Sequence, residues 1–515
     1  MGNQFIGGFE KKEKIQAQYD SIDLPHGTAE HGGIPLISDA QKMTVCGDES
    51  HTLIISSSGT GKTRRLLMPA VFTLGMASEN MLISDPKGEI LGATGSFLKR
   101  TGYRIITLNY RDMGVGECYN PMTRAWDLYH DGKGDEAFEE IENFVGILQP
   151  QLESREVYWQ LMASALCKAL MQIMLEICTR EEYNPVSLAK MCTHAGIESI
   201  RQIAEQLPHD CVTYVNLQSV LYAPREKTLP SIVSTLYSAL AQFLSNHRAA
   251  VSMSHMTWSF DELIRKKTAL FIILPDEKNN YNFIASLLVK QIYTYLIEIA
   301  YKTGGRLSTR MNFILDEFGN IPAIPDFGSM ISAARSRNIR ISMCVQGLSQ
   351  LRSKYEDTAE TITGNCNNII YMHTKETELL EKISNLCGEK MLPSGKVVKL
   401  LSSFELQHLR MGEVLMLLGR NFPFLTMLPD ISEYIKLQSV NEYSEKVNKP
   451  VSEDAKIKVL DIGSVAENIE NGKAPIPFTN GKYLKNICEL DENDFDEIRD
   501  ELEQRFSELF GDDDD

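Results

Sequence analysis

Apolar and polar positions follow two different rhythms along the chain. Short apolar runs typical of buried strands recur on both sides of a long central block, at 52–55, 80–84, 104–108, 267–276, 311–317, 338–346, 367–374 and 412–419. Within that block, residues 124–259, apolar positions recur about every 3.6 residues, the spacing of amphipathic helices. The pattern predicts an α/β protein whose two halves flank an all-helical block.

This pattern also divides the chain into five segments. They are an N-terminal segment (1–45), the first half of an α/β domain (46–123), an all-α domain (124–259), the second α/β half (260–437), and a polar linker with an acidic tail (438–515). Because a sheet domain needs both sets of strands to bury its faces, we interpret the helical block as an insertion into one α/β domain.

A phosphate-binding loop is predicted where the first strand ends. SSSGTGKT at 56–63 fits the pattern G-x-x-x-x-G-K-[ST], except that Ser56 stands for the first glycine. Lys62 would contact the nucleotide phosphates, and Thr63 would offer its hydroxyl to Mg²⁺. The residues expected around the phosphates are Ser58, Gly59, Thr60, Gly61, Lys62 and Thr63. The alternative is a chance Gly/Ser turn before a helix.

A second motif, NFILDEFG, delivers Asp316 and Glu317 at the carboxyl end of an apolar strand. We expect Asp316 to hold Mg²⁺ through water and Glu317 to act as general base on the attacking water. Lys62 and Asp316 are 254 residues apart, which exceeds the spacing in a compact nucleotide domain. This distance agrees with an inserted domain and excludes small nucleoside kinases and ordinary GTPases.

Two further stretches of the sequence are candidates for residues beside the nucleotide site. In SDPKGEI (84–90), Pro86 would hold Asp85 extended so that a stiff turn presents Lys87 and Glu89, although an ordinary exposed turn has the same composition.

The other stretch, 333–347, places Arg335, Arg337 and Arg340 before a strand that ends in Gln346. Gln346 could sense hydrolysis at the γ-phosphate, and one arginine could reach a phosphate bound by an adjacent subunit. A solvated basic patch is the alternative.

Taken in order, these motifs resemble those of the type IV coupling proteins, the TraG/TraD-type hexameric DNA-translocating ATPases of conjugation and type IV secretion. The resemblance runs from about Gly27 to Leu437. It is carried by SSSGTGKT (56–63), SDPKGE (84–89), CYNPM (118–122), KTLPSIVSTL (227–236), TALFIILPD (268–276), FILDEFGNIPAIPDF (313–327) and QL (350–351) after Gln346.

The resemblance implies a RecA/AAA-like P-loop domain that uses ATP and Mg²⁺. Lys62 and Thr63 match the first nucleotide motif of the family, and Asp316 and Glu317 match the second. Gln346 matches the family's strand-end glutamine, and Arg335 stands where an arginine finger is expected. Ser56 differs from the glycine of the family's motif, but that position forms a turn and makes no charge contact.

The same resemblance implies a function. We expect a motor that recruits relaxase-bound single-stranded DNA, and protein substrates in some systems, to a type IV secretion channel and powers transfer. It would contact DNA without sequence specificity, bind channel subunits and work as a homo-hexamer with a largely monomeric resting state. The alternatives are a non-hydrolysing cargo adaptor and a chromosome-partitioning DNA pump.

Location is less directly indicated. The family's usual pair of N-terminal membrane helices is not found, so we expect a chain in the bacterial cytoplasm at the inner face of the membrane. The anchor would then reside in another subunit, or the chain is truncated. The most apolar run, 283–301, is interrupted by Lys290, Gln291 and Glu298, as in a helix packed inside protein.

Ten dispersed cysteines without a C-x-x-C pair indicate a reducing compartment and no zinc site.

Charge is concentrated at the C-terminus. The net charge is −17, and residues 489–515 supply −12 of it through fourteen acids and two arginines. The acidic overall balance is therefore weak evidence against DNA binding. Phe495, Leu502 and Phe506 recur at helical spacing in this tail, so we predict a helix that docks on a basic relaxase or relaxosome protein, against the alternative of a disordered solubilising tail.

Overall fold

The computed structural model describes residues 8–28, 30–148, 157–209, 211–221, 228–275, 280–434, 436–437, 451 and 455–479. The described residues form two compact units. One, the sheet unit, is drawn from Met1–Glu117 and Trp258–Val451. The other, the helical unit, is drawn from Cys118–Thr257 and Ser452–Asp515.

The strands, in chain order, are β1 Ser21–Asp23, β2 Ile34–Ser38, β3 Lys42–Cys46, β4 Thr52–Ser56, β5 Asn80–Ser84, β6 Arg104–Asn109, β7 Thr268–Ile273, β8 Met311–Leu315, β9 Ile339–Val345, β10 Asn368–His373, β11 Glu389–Met391, β12 Val397–Lys399, β13 Glu413–Leu418 and β14 Phe424–Met427.

The α-helices are α1 Lys12–Gln18, α2 Met68–Met76, α3 Glu89–Arg100, α4 Thr123–His130, α5 Gly134–Leu148, α6 Val157–Ile177, α7 Pro185–Met191, α8 His194–Ala204, α9 Val212–Leu221, α10 Thr228–Leu240, α11 His247–Ser254, α12 Glu262–Arg265, α13 Asn282–Lys302, α14 Phe327–Ala334, α15 Ser349–Tyr355, α16 Thr358–Gly364, α17 Thr377–Cys387, α18 Ser403–Gln407 and α19 Ile462–Glu470. A π-helical turn spans Thr63–Leu67, and 3₁₀ turns span Ala241–Leu244, Phe318–Asn320, Arg335–Arg337 and Ile431–Glu433.

A nine-stranded sheet organises the sheet unit, in the order β14-β13-β10-β4-β9-β8-β5-β7-β6. From β10 to β6 all neighbours are parallel, and β13 and β14 add antiparallel strands at one side. The strands β4, β5, β7 and β8 are buried along their whole length, as expected for parallel strands covered on both faces. The predicted α/β fold is therefore confirmed, and strands from both halves of the chain interleave in one sheet.

The helical unit contains α4 to α11 in one stretch of chain. It begins at Cys118 and ends at Thr257, against the predicted 124 and 259. It also includes α19, which packs against α8. This helix lies in the segment predicted to be a polar linker. Only Ile462, Ala466 and Ile469 of its nine residues are buried, so its apolar signal in the sequence is weak. The acidic tail lies outside the described residues.

A small sheet near the N-terminus was not predicted. The order is β1-β3-β2, with antiparallel pairing throughout. Ile22, Leu36, Met43 and Val45 are buried. These strands are short and separated by Gly-, His- and Asp-containing turns, so their alternation is too brief to stand out in the sequence.

Two helices of the described chain, Tyr158–Ile177 and Asn282–Lys302, are long and apolar enough to cross a membrane by length and composition alone. Core helices of globular units pass the same test. In the second helix, 78% of the most apolar window is buried within the protein. There Lys290 is buried, and its Nζ donates to Asp326 Oδ2 at 3.0 Å.

A buried charge cluster closes the edge of the sheet where the parallel strands begin. Glu79 accepts from Asn312 Nδ2 at 2.8 Å and pairs with Arg310 at 3.5 Å and Arg340 at 3.4 Å. Arg340 Nη2 also donates to the Gly32 carbonyl at 2.8 Å. The interpretation of Arg340 as part of a solvated basic patch is therefore wrong, because its side chain is buried and satisfied inside the protein.

We expect Arg340→Ala to lower the free energy of unfolding by about 3 kcal/mol, because it leaves Glu79 and three backbone carbonyls, those of Gly32, Cys46 and Asp48, with fewer partners. Arg306→Ala is the matched control. Arg306 pairs with Glu49 where both side chains are half exposed, so its loss should cost below about 1 kcal/mol. Urea unfolding monitored by circular dichroism provides the comparison, and equal losses would contradict a structural role for the cluster.

Candidate nucleotide site

The loop after β4 has the geometry of a phosphate cradle. Gly59 and Gly61 adopt φ values of +79° and +86°, which favour glycine. The Ser56 hydroxyl is hydrogen-bonded to the Thr60 hydroxyl, and Thr60 Oγ1 donates to the Ser57 carbonyl at 2.9 Å. Serine at the first position of the motif thus braces the base of the loop, which explains why glycine is not required there.

A helix begins directly after this loop. Lys62 precedes the π-helical turn Thr63–Leu67, which continues into α2. Free backbone N–H groups at such a helix start, together with the helix dipole, favour an anion. The predicted loop residues, Ser58 to Thr63, therefore lie where β4 gives way to this helix start.

The two predicted carboxylates meet the loop from β8, two strands away in the sheet. Lys62 Nζ lies 3.0 Å from Asp316 Oδ1 and also pairs with Glu317 Oε1. Thr63 Oγ1 donates to Asp316 Oδ2 at 3.2 Å. Glu317 has a φ of +51°, an uncommon conformation for a residue with a side chain, and its backbone N–H donates to Asp316 Oδ1 at 2.9 Å.

Burial and charge act against each other at these groups. Burial alone would lower the pKa of Lys62, but the adjacent Asp316 and Glu317 carboxylates raise it above its usual value. Burial raises the pKa of Asp316, and the Lys62 ammonium opposes this increase. Lys62 is therefore held as a cation between two carboxyl groups.

Gln346 completes the predicted set. It follows β9, which lies between β4 and β8, and its Nε2 donates to Glu317 Oε2 at 3.2 Å and to Ser58 Oγ at 3.4 Å. One amide thus bridges the loop and the candidate base. A change in the contacts of the Gln346 amide would therefore affect both Ser58 and Glu317.

Two residues that were not predicted, His373 and Thr374, form hydrogen bonds to this site from the end of β10. Ser57 donates its backbone N–H to the His373 carbonyl at 2.9 Å, and its hydroxyl lies 2.7 Å from His373 Nδ1. Thr374 Oγ1 donates to the Gln346 carbonyl at 3.0 Å. Their only sequence signal was a polar pair at a strand end.

A cleft of about 210 Å³ opens on the Glu317 side of the loop. Pro86 and Lys87 line it, together with Asp316, Glu317 and Gln346. The turn at 84–90 therefore faces the cleft.

Asp85 has a structural place in that turn. Its Oδ2 accepts the Leu91 N–H at 2.8 Å, near the start of α3. Burial raises the pKa of Asp85 to about 6. Its carboxyl therefore holds the turn against α3 while Lys87 remains exposed.

Arg335 is not part of the site within its own chain. It is exposed in the 3₁₀ turn that precedes β9, whereas Gln346 follows the other end of this seven-residue strand. A strand of that length spans about 20 Å. Arg335 is therefore too far from Gln346 to act at the nucleotide loop of its own chain.

Mg²⁺ fits the donors that are present. Among the described residues, no group of three or more His, Cys, Asp or Glu side chains is placed to hold a metal ion. Thr63 and Asp316 supply two adjacent oxygen donors at the loop. Mg²⁺ typically takes few protein ligands and completes its shell with water and phosphate.

A parallel sheet with a glycine-rich Lys-Thr loop after one strand and an Asp-Glu pair after a second strand, one strand further across the sheet, defines a P-loop nucleotide-binding protein. Residues 9–398 match the sequence profile described as type IV secretory system conjugative DNA transfer. The chain belongs to this family of conjugative coupling proteins, which confirms the resemblance.

Known proteins agree with this assignment. VirD4 of Rhizobium radiobacter is 20% identical over 354 residues, which cover 67% of this chain and 48% of VirD4. The chain thus matches about half the length of that relative. The unbound bacterial conjugative coupling protein TrwBdeltaN70 has a TM-score of 0.61 at 16% identity, covering 82% of this chain and 93% of that one. TrwB in complex with ADP and Mg²⁺ also has a TM-score of 0.61 at 16% identity, covering 82% and 94%. These two likenesses show a shared fold.

The Asp85 carboxyl predicts a pH effect on stability. Its folded pKa of about 6 exceeds the ordinary value of 3.8, so the folded state binds the proton more tightly than the unfolded state. This contribution is complete below about pH 4 and is lost as the pH rises through 6. Asp85→Asn should therefore reduce the fall in unfolding free energy between pH 4 and 7 by up to about 3 kcal/mol. Urea unfolding between pH 4 and 7 measures this change, with Asp131→Asn at an exposed position as the control. An unchanged dependence of the unfolding free energy on pH in Asp85→Asn would contradict the prediction.

Proposed function

We propose that the chain is an ATP-driven coupling protein that recruits relaxase-bound single-stranded DNA to a type IV secretion channel and powers its transfer during conjugation. The observation that carries the proposal is the meeting of Lys62, Asp316 and Glu317 at one edge of the sheet. Family membership supports the DNA-transfer role. The TrwB complexes with ADPNP and with ADP and Mg²⁺ support the choice of nucleotide.

The residues divide the chemistry among them. Lys62 would bind the β- and γ-phosphates, while Thr63 and Asp316 would hold Mg²⁺, which would neutralise phosphate charge. Glu317 accepts the proton of the attacking water, and Gln346 orients Glu317 through its amide. Lys62 must leave Glu317 for the phosphates before that carboxylate can act.

Glu317→Gln should retain ATP affinity within about twofold and lose at least about 100-fold in turnover, because an amide cannot accept the proton. Lys62→Ala should lose both binding and turnover. Calorimetric titration and phosphate release measure the two quantities. The control is Glu378→Gln, an exposed carboxyl paired with Arg352. Normal turnover by the Glu317 variant would refute the assigned base, and a wild-type chain without DNA-dependent hydrolysis would favour an adaptor.

Assembly into a homo-hexamer would complete the site. The nucleotide loop follows the carboxyl ends of the parallel strands, and Arg335 precedes the amino end of β9. A head-to-tail interface joins unlike surfaces and forms a ring when the rotation between successive copies closes. Arg335 would then stabilise phosphate charge on the neighbouring copy.

Arg335→Ala should bind ATP with near-normal affinity yet hydrolyse it at least about tenfold more slowly. Mixing it with Glu317→Gln chains should restore part of the activity, because some interfaces then pair an intact base with an intact arginine. Arg337→Ala is the control, since Arg337 shares the same 3₁₀ turn and lies over the Tyr301 ring. Two results together would contradict the action of Arg335 between subunits: mixtures that recover no activity, and turnover that does not depend on protein concentration.

The remaining partners follow from the family role. We propose sequence-independent, salt-sensitive contacts with DNA phosphates, and contacts with type IV secretion channel subunits at the inner face of the bacterial membrane. Transport of protein substrates belongs to the same proposal. Relaxase capture by the acidic tail stays a prediction from its sequence, because that segment lies outside the described residues.

A further inference from the structure

The backbone that follows the candidate base is held by helix α15. Lys354 Nζ donates to the Ile321 carbonyl at 2.5 Å, and Tyr355 Oη accepts the Ile324 N–H at 3.1 Å. The Tyr355 ring also stacks with the Phe318 ring, with centroids 6.1 Å apart and planes inclined by 8°. The residues directly after the Asp-Glu pair are therefore fixed against α15.

The same helix makes a close approach to this segment at Gly319. A methyl group added to Gly319 would come within 2.3 Å of Gln350 Oε1 and 2.8 Å of Gln350 Nε2. Gly319 does not have a positive φ, so its backbone conformation alone does not require glycine. Glycine fits this position because the Gln350 amide occupies the space that a side chain would take.

Gln350 also holds the backbone of Gln346. Gln350 Oε1 accepts the Gln346 N–H at 2.9 Å, and the Gln346 carbonyl accepts from Thr374 Oγ1 at 3.0 Å. Both backbone polar groups of Gln346 are thus committed. The side-chain amide that bridges Ser58 and Glu317 therefore projects from a fixed point.

We propose that Gln350 is a positioning residue for ATP hydrolysis, because it fixes the separation between Gln346 and the turn that carries Glu317. This inference rests on the proposed function, in which Glu317 is the base. The cleft beside the loop is lined by Gln346 and Glu317 and not by Gln350. A change at Gln350 should therefore reduce turnover and leave ATP binding intact.

Two single variants of the full chain test this role. Gln350→Met keeps the side-chain length but removes the oxygen that accepts the Gln346 N–H. We expect kcat to fall at least about tenfold and ATP affinity to stay within about twofold, because a small displacement of the base acts on the transition state. Gly319→Ala should do the same, because its methyl group displaces the flexible end of Gln350.

Phosphate release measures kcat, and calorimetric titration measures ATP affinity. The control on the same helix is Ser353→Ala, at an exposed position of α15. The control for an added methyl group is Gly364→Ala, where the methyl group would meet open space. Both controls should leave kcat and ATP affinity unchanged.

A double-mutant cycle separates the positioning role from a general loss of structure. In a Gln350→Ala chain the space beside Gly319 is empty, so adding Gly319→Ala should lower kcat by less than about twofold further. Effects of the two changes that multiply in the double variant would overturn the proposal, because Gly319 would then act independently of Gln350.

The remaining outcomes decide between the claims. Normal kcat in Gln350→Met and Gly319→Ala overturns the positioning role and leaves the proposed function standing. ATP affinity that weakens as much as kcat also overturns it, and so does a urea-unfolding midpoint that falls together with kcat in both variants. A wild-type chain that does not hydrolyse ATP overturns the proposed function itself, and the positioning role with it.

Discussion

The ammonium of Lys62 lies between the carboxylates of Asp316 and Glu317, and all three groups are largely shielded from water. A buried cation without partners would be unstable, and so would two adjacent buried carboxylates. Each therefore requires the other, which ties the end of β4 to the end of β8. Phosphates that take over Lys62 would release both carboxylates, one for Mg²⁺ and one for water. A phosphate group at this loop would therefore compete directly with the ion pairs that tie β4 to β8.

This constraint explains how a site can tolerate a long insertion. Lys62 and Asp316 are separated by the helical unit in the chain, yet their strands stand on either side of β9 in one sheet. Parallel strands bring their carboxyl ends to the same edge whatever connects them. Lys62, Asp316 and Glu317 accordingly all lie in the sheet unit, although the helical unit separates them in the chain.

Much of this arrangement could be predicted because it depends on local patterns. Each long strand of the large sheet gives an apolar run, and the loop and the Asp-Glu pair are short motifs whose chemistry does not depend on distant residues. Gln346 was predicted for the same reason. The environment of Arg340 could not be predicted, because a charged residue near the start of a strand has the same local pattern whether it is solvated or paired with a buried carboxylate such as Glu79. His373 and Thr374 act through contacts between strands far apart in sequence, and no local pattern records such contacts.

The central claim is that a nucleotide replaces the carboxylates as the partner of Lys62. A crystal structure of the Glu317→Gln chain with ATP and Mg²⁺ tests it most directly. We expect the Lys62 ammonium within hydrogen-bonding distance of the β- and γ-phosphates, with Thr63 and Asp316 at the metal ion or its water. A triphosphate bound elsewhere, or a Lys62 that stays paired with Asp316 while ATP occupies the loop, would contradict it.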